Sequence, residues 1–196
     1  EIRDFVDYIR PTPEERRLRA EVVRRIEGII KGLWPDATVS LFGSVRADIY
    51  LPTSDIDMVV LGKWARLPLN TLAKALRKSG TTSKLQVIAK ARVPIIKLRD
   101  AASTIDVDMS FNMPGGPEEA KRIRANMVAF PALRPLVMII KQFLSQRGMN
   151  EVYTGGLGSY ATFLMAMSFL QLHPTPASAE SNLGVLLIEF MELYGL

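Results

Sequence analysis

The chain has no cysteine among its 196 residues. Disulfides and thiolate metal sites are therefore both excluded. It has one histidine, His173, which argues against histidine-based nucleophilic or base catalysis. That residue stands before Pro174 at the end of a helical pattern and reads as a structural cap. Long apolar runs are missing as well. The longest, Leu157 to Leu170, is interrupted by Gly158, Ser159, Tyr160, Thr162 and Ser168, and it is shorter than the ~20 residues a bilayer span needs. The opening residues Glu1, Ile2, Arg3 and Asp4 carry no signal-peptide core. These absences lead to the expectation of an intracellular chain with no membrane partner.

Charge of one sign is also missing in places. No acid lies between Asp57 and Asp100, where ten Lys or Arg are found. From Lys121 to Arg147 there are again no acids and six basic residues, whereas residues 151–196 hold no Lys or Arg at all. Such segregation around a net charge of +5 points to a positive surface for a polyanion such as nucleic acid. Solvated helix faces are the plainer alternative. What remains is ordinary for a globular protein, 48% hydrophobic and 23% charged. The length allows one good core or two small packed lobes.

Along the chain, Leu18, Val22, Ile26, Ile29 and Ile30 fall at helical spacing within residues 14–33, after Pro13. A short strand, Val39 to Phe42, leads into a Gly43-Ser44 turn. Ile56 to Leu61 is a second strand and Leu69 to Lys78 a helix. Further strands are expected at Lys84 to Ile88, Val93 to Leu98 and Thr104 to Phe111. The last alternates, with Ile105, Val107, Met109 and Phe111 on one face and Asp106, Asp108 and Ser110 on the other. After the Pro114-Gly115-Gly116-Pro117 break come four helices: Glu118 to Asn126, Leu133 to Arg147, Gly158 to Leu172 and Leu183 to Tyr194. The pattern predicts an α+β protein, a mixed sheet with flanking helices followed by a helical domain. The expected boundaries are 1–35 for an N-terminal helical segment, 36–112 for the sheet domain and 113–196 for the helical one.

The chemistry gathers around Asp55 and Asp57. A strand period of two puts both carboxylates on one face, with Ile56, Met58 and Val60 turned into the core. Hard oxygen donors of this kind suit Mg²⁺. The plainer reading is a turn residue beside an ion-pair partner. Gly43 and Ser44 strengthen the metal reading. A glycine after an apolar strand lets backbone N–H groups approach phosphate oxygens, and the serine hydroxyl adds a donor. A third carboxylate would complete a two-metal site for phosphoryl transfer. Asp106 and Asp108 are both candidates, and spacing does not separate them.

Gly43-Ser44, the run from Leu51 through Asp55 and Asp57, and the run from Val107 through Asp108 to Asn112 resemble three motifs of the DNA polymerase β nucleotidyltransferase superfamily. The segments Val93–Lys97, Lys141–Leu144, Asn150–Gly156, Gly158–Tyr160, Ser168–Pro174 and Asn182–Gly195 are similar to one branch of it, the TRAMP-type nuclear poly(A) polymerases, also called DNA polymerase sigma. The resemblance implies a nucleotidyltransferase palm and a helical central domain. That domain is expected to be incomplete at Leu196, because the family pattern continues further. It implies Asp55, Asp57 and Asp108 as catalytic metal ligands for Mg²⁺ or Mn²⁺, with Asp106 a peripheral, solvated residue. Gly43 and Ser44 would hold the triphosphate, Lys141 would reach its β- and γ-phosphates, and Ser159 and Tyr160 would contact sugar or phosphate and stack on the base. The implied activity is template-independent addition of adenylates from ATP to RNA 3′ ends, in nuclear RNA surveillance. The implied partners are an RNA 3′ end and, in a TRAMP-like complex, a zinc-knuckle RNA-binding protein and an RNA helicase. Terminal uridylyl transfer on the same fold, a catalytically silent scaffold and nucleotidyl transfer to a small molecule are the alternatives.

Overall fold

A computed structural model of the chain describes residues 1–113, 116–174 and 182–195, with backbone only at Arg46 and residues 116–120. Of the expected break Pro114-Gly115-Gly116-Pro117, the first two residues lie outside the described residues and the last two are corrected to the start of a helix. The chain opens with α1 (Ile2–Ile9) and α2 (Pro13–Leu33). The second starts where it should. The Thr12 hydroxyl accepts from the Glu15 amide at 3.2 Å, and the Glu15 carboxylate accepts from the Thr12 amide at 2.6 Å. With Pro13 in the first turn, this satisfies N–H groups that a helix start leaves unpaired. There follow β1 (Thr38–Leu41), α3 (Gly43–Ala47), β2 (Ile56–Leu61), α4 (Leu69–Lys78), β3 (Thr82–Ile88), β4 (Ile95–Asp100) and β5 (Asp106–Phe111). The last helices are α5 (Gly116–Ala129), α6 (Leu133–Gln146), α7 (Ser159–Leu172) and α8 (Leu183–Gly195), with a 3₁₀ turn at Val152–Thr154. Among the described residues no single helix is long and apolar enough to cross a membrane.

The chain divides into two compact units, one made of Pro11–Arg46 and Thr53–Glu118, the other of Glu1–Arg10, Ala47–Pro52 and Glu119–Leu196. The expected boundaries are corrected on two counts. The stretch 1–35 is shared between the units, because Ile9 is buried in the helical cluster while Val22, Ile26 and Ile30 are buried under the sheet. Residues 47–52 leave the sheet unit for the same reason, with Ile49 and Leu51 buried in the cluster that contains Leu136, Val137 and Ile140.

In the sheet unit the strand order is β1-β2-β5-β4-β3. The β2–β5 pair is parallel and the other three are antiparallel. One face is apolar: Ile56, Met58, Val60, Ile96, Val107 and Met109 are wholly buried with Val22, Ile26 and Ile30 of α2 and Leu72 and Leu76 of α4. Each such side chain contributes roughly 1.5–3 kcal/mol by leaving water, so the register is fixed by this face. A slip of one residue would turn every one of them outward. The opposite face is left to the charged residues of the same strands.

Strand β5 starts two residues later than the alternation predicts. Thr104 has φ 61° and its amide donates to the Asp100 carbonyl at 3.0 Å, while the Asp100 amide donates to Ile105 at 2.9 Å. A tight connection consumes those residues. Likewise β4 starts at Ile95 rather than Val93, since Pro94 has no N–H to give a ladder. The Asp100 side chain is fully buried, accepting from the Ser103 amide and hydroxyl at 2.8 Å each and from Arg25 at 2.7 Å. Burial pushes its pKa up, but the Ser103 hydroxyl, the Ser103 amide and Arg25 together outweigh that and hold it below the usual value. A depressed carboxylate contributes stability above its unfolded pKa of about 3.9 and loses it as pH falls through the folded value. Asp100→Asn is therefore expected to cost roughly 1–3 kcal/mol at pH 7, since it weakens charge-assisted bonds accepted by a buried side chain. The gap from wild type should close below about pH 4. Urea titrations at pH 7 and pH 3 check this, and equal stabilities at pH 7 would rule it out.

The helical unit buries Leu133, Leu136, Val137 and Ile140 of α6 against Phe163, Ala166 and Leu170 of α7 and Phe190 of α8. The expected helices at 133–147, 158–172 and 183–194 are found within one residue of those bounds.

Candidate active site

On the charged face of the sheet, register places the side chains in rows. Asp57 of β2 lies directly opposite Asp108 of β5, Asp108 opposite Lys97 of β4, and Lys97 opposite Gln86 of β3. The adjoining row runs Asp106, Arg99, Lys84. Neighbouring strands stand about 4.8 Å apart. Carboxylates thus occupy β2 and β5, and the cations lie on β4 and β3, to one side of them. Asp55 stands immediately before β2; the hydrogen bond and charge of Asp106 raise the pKa of Arg99, and the charge of Asp55 adds to this.

Two ion pairs join the rows. Lys97 Nζ is 2.8 Å from Asp108 Oδ2. Arg99 holds Asp106 with both nitrogens, Nε at 2.8 Å and Nη2 at 2.6 Å. That bidentate hydrogen bond lowers the Asp106 pKa and outweighs burial, with the charges of Arg99, Lys84 and Lys97 adding to it. The expectation of a merely solvated Asp106 is corrected: its two oxygens are committed to a guanidinium. The register separates the two candidates that spacing could not, because it is Asp108 that faces Asp57.

Gly43 has φ +63°, and a Cβ built there would stand 3.1 Å from Asp57 Cγ and overlap Asp57 Oδ2. Only glycine combines that backbone with that approach. The Phe42 amide donates to the Asp57 carbonyl at 3.1 Å, tying the two segments together. Where a simple turn was expected, Gly43 begins the five-residue helical stretch α3, and Ser44 is buried in it.

Among the described residues no three carboxylate or imidazole groups are gathered closely enough to hold an ion as they stand. The donor set nevertheless fits a hard divalent cation. It consists of carboxylate oxygens on adjacent strands, with Asp57 Oδ2 lying where a side chain at position 43 would be. Asp108 already binds a cationic group in the form of the Lys97 ammonium.

Lys141, Ser159 and Tyr160 belong to the helical unit. Lys141 is buried in α6, and its ammonium donates to the Ile49 carbonyl at 2.7 Å. Ser159 and Tyr160 open α7 after its N-cap Gly158. Tyr160 is 49% exposed, its ring nearly parallel to that of Phe163 with centroids 6.3 Å apart. One face of a flat ring is thus supported and half of the residue stays accessible, as stacking requires. His173 is the C-cap of α7 and its Nε2 lies 2.7 Å from Glu189 Oε2, in keeping with the structural role expected of it.

Sequence reasoning placed Lys97 and Arg99 only among the basic residues of a surface for a polyanion and gave them no part beside the aspartates. The signal was present, since both share the period-two face of their strand, but it needed the pairing of β4 with β5 to become visible.

Residues 1–125 match the family model described as "Poly(A) RNA polymerase, mitochondrial-like, central palm domain". Poly(A) RNA polymerase protein 2 of Saccharomyces cerevisiae is 48% identical over an aligned length of 203 residues that covers 100% of this chain and 35% of that protein. Inactive non-canonical poly(A) RNA polymerase protein Trf4-2 of Drosophila melanogaster is 46% identical over 203 residues, covering 100% of this chain and 50% of its own length. A solved structure described as the polymerase core of TRAMP, a RNA surveillance complex, is 46% identical with a TM-score of 0.88, covering 99% of this chain and 62% of that one. This chain therefore spans between a third and a half of the curated relatives named here. The palm match covers most of its residues, the sheet unit among them, and the chain belongs to the mitochondrial-like poly(A) RNA polymerase central palm family.

Proposed function

We propose that the chain carries the catalytic part of a template-independent RNA 3′-nucleotidyltransferase that uses ATP to adenylate RNA 3′ ends. The observation that carries the reading is the register pairing of Asp57 with Asp108, with Asp55 beside them and Gly43 against the Asp57 carboxylate. Asp55, Asp57 and Asp108 would hold Mg²⁺ or Mn²⁺. Such an ion supplies a lowered pKa for the attacking 3′-hydroxyl and charge neutralisation at the leaving pyrophosphate. The chain's own residues do the positioning. Gly43 lets the Asp57 carboxylate lie against the backbone at the strand end, where Gly43 and Ser44 would hold the triphosphate. Lys141 would contact the β- and γ-phosphates, Ser159 the sugar or phosphate, and Tyr160 would stack on the base for about 1–3 kcal/mol.

The choice of adenylate is supported by the names of the relatives, and an RNA-surveillance setting by the description of the TRAMP structure; a nuclear location belongs to the same proposal. A TRAMP-like complex with a zinc-knuckle RNA-binding protein and an RNA helicase is part of the same proposal. The fly relative is named as inactive at 46% identity, so identity alone does not separate an enzyme from a scaffold. The three aspartates argue for the enzyme. The test is a labelled oligo(A) primer incubated with Mg²⁺ or Mn²⁺ and each of the four nucleoside triphosphates. Extension with ATP is expected. Extension with UTP in its place would favour uridylyl transfer, and no extension with any of them would leave the scaffold.

A further inference from the structure

The contact between Lys97 and Asp108 differs from its neighbour in kind. Arg99 and Asp106 form a closed two-point pair. Lys97 meets Asp108 at one oxygen, with the lysine side chain 42% exposed and the aspartate 21%. An ammonium on a flexible stem can turn its three donors to another acceptor, which a planar fork cannot do without breaking both bonds. A divalent ion on Asp108 would sit beside that ammonium, and the two like charges would repel. That repulsion favours turning the ammonium toward another anion. Lys84 and Arg99 flank it on the same face, both exposed, so that Lys97 stands within a line of cations leading away from the carboxylates.

We propose that Lys97 couples metal binding to acceptor binding. Its ammonium holds Asp108 before the metal arrives, and afterwards pairs with a backbone phosphate of the acceptor strand near its 3′ end. This rests on the reading of Asp57 and Asp108 as metal ligands. Lys97 is a positioning residue here, since it acts through Asp108 and the acceptor's phosphate. Coupling of this sort is reciprocal. A phosphate that draws Lys97 away from Asp108 tightens the metal, and the metal tightens the acceptor by the same factor.

The experiment measures Mn²⁺ binding directly by calorimetry without ATP, in the presence and absence of an oligo(A) with a blocked 3′ end. In the wild type the oligonucleotide should raise Mn²⁺ affinity. Lys97→Met should bind Mn²⁺ more tightly without the oligonucleotide, by roughly two- to five-fold, the size of one half-exposed ion pair. Adding the oligonucleotide to that variant should change nothing further. Lys97→Arg should keep part of the coupling, and Lys97→Gln serves in place of Lys97→Met if the latter melts early. Unchanged Mn²⁺ affinity in Lys97→Met, or an oligonucleotide effect as large as in wild type, overturns the proposal. Asp108→Asn distinguishes the two levels. It should weaken Mn²⁺ binding, and if it does not, the metal-site reading itself fails.

Discussion

Asp57→Asn and Asp108→Asn should each reduce nucleotide addition by on the order of 10³-fold or more, the scale of losing a metal's charge stabilisation in the transition state. Both positions carry a carboxylate on the charged sheet face and nothing in the apolar core, so the fold should survive. Matching melting temperatures with lost incorporation are the expected pair of results. Asp106→Asn is the internal comparison. It breaks a bidentate contact to Arg99 but removes no proposed metal ligand, so its activity should fall far less. A dead Asp106→Asn beside an active Asp108→Asn would show that the third ligand has been assigned to the wrong residue.

Gly43→Ala should be nearly as damaging, through position rather than charge. At φ +63° an L-residue with a side chain costs roughly 1–2 kcal/mol, and the added methyl would occupy the place of Asp57 Oδ2. The carboxylate has to rotate or β2 has to shift. A displacement of about 1 Å at a reacting centre costs about 10²-fold in rate. The distinguishing signature is a weakened metal affinity along with the rate, with only a small loss of thermal stability. Full activity in Gly43→Ala would mean that Asp57 has another productive conformation.

The elements were legible wherever one face of a segment is uniformly apolar. Ile56, Met58 and Val60 dictate β2, and the stripe through Val22, Ile26 and Ile30 dictates α2. Strand ends were less legible, because Thr104 in a left-handed conformation and Pro94 without an amide act through backbone geometry rather than hydrophobicity. Helix α1 escaped separate notice. It has eight residues and stops before Pro11, too short for its periodicity to stand out. In the candidate site the aspartates were visible as a spacing, but which of Asp106 and Asp108 faces Asp57 is a property of the β2–β5 pairing and its register. The same holds for the two cations that face them. Strand order is decided by contacts far apart in sequence, such as Ile96 and Leu98 against Val107 and Met109.

The division of the chain has a consequence for how it can be taken apart. The backbone passes from one unit to the other four times, after Arg10, Arg46, Pro52 and Glu118. No single cleavage can therefore yield the two units as separate polypeptides. A fragment ending at 118 would carry Ile9, Ile49 and Leu51 without the helices that bury them, leaving those side chains as an adhesive surface. A graft of the sheet unit onto another protein would have to replace the 47–52 excursion with a short polar bridge, or bring its helical partners along.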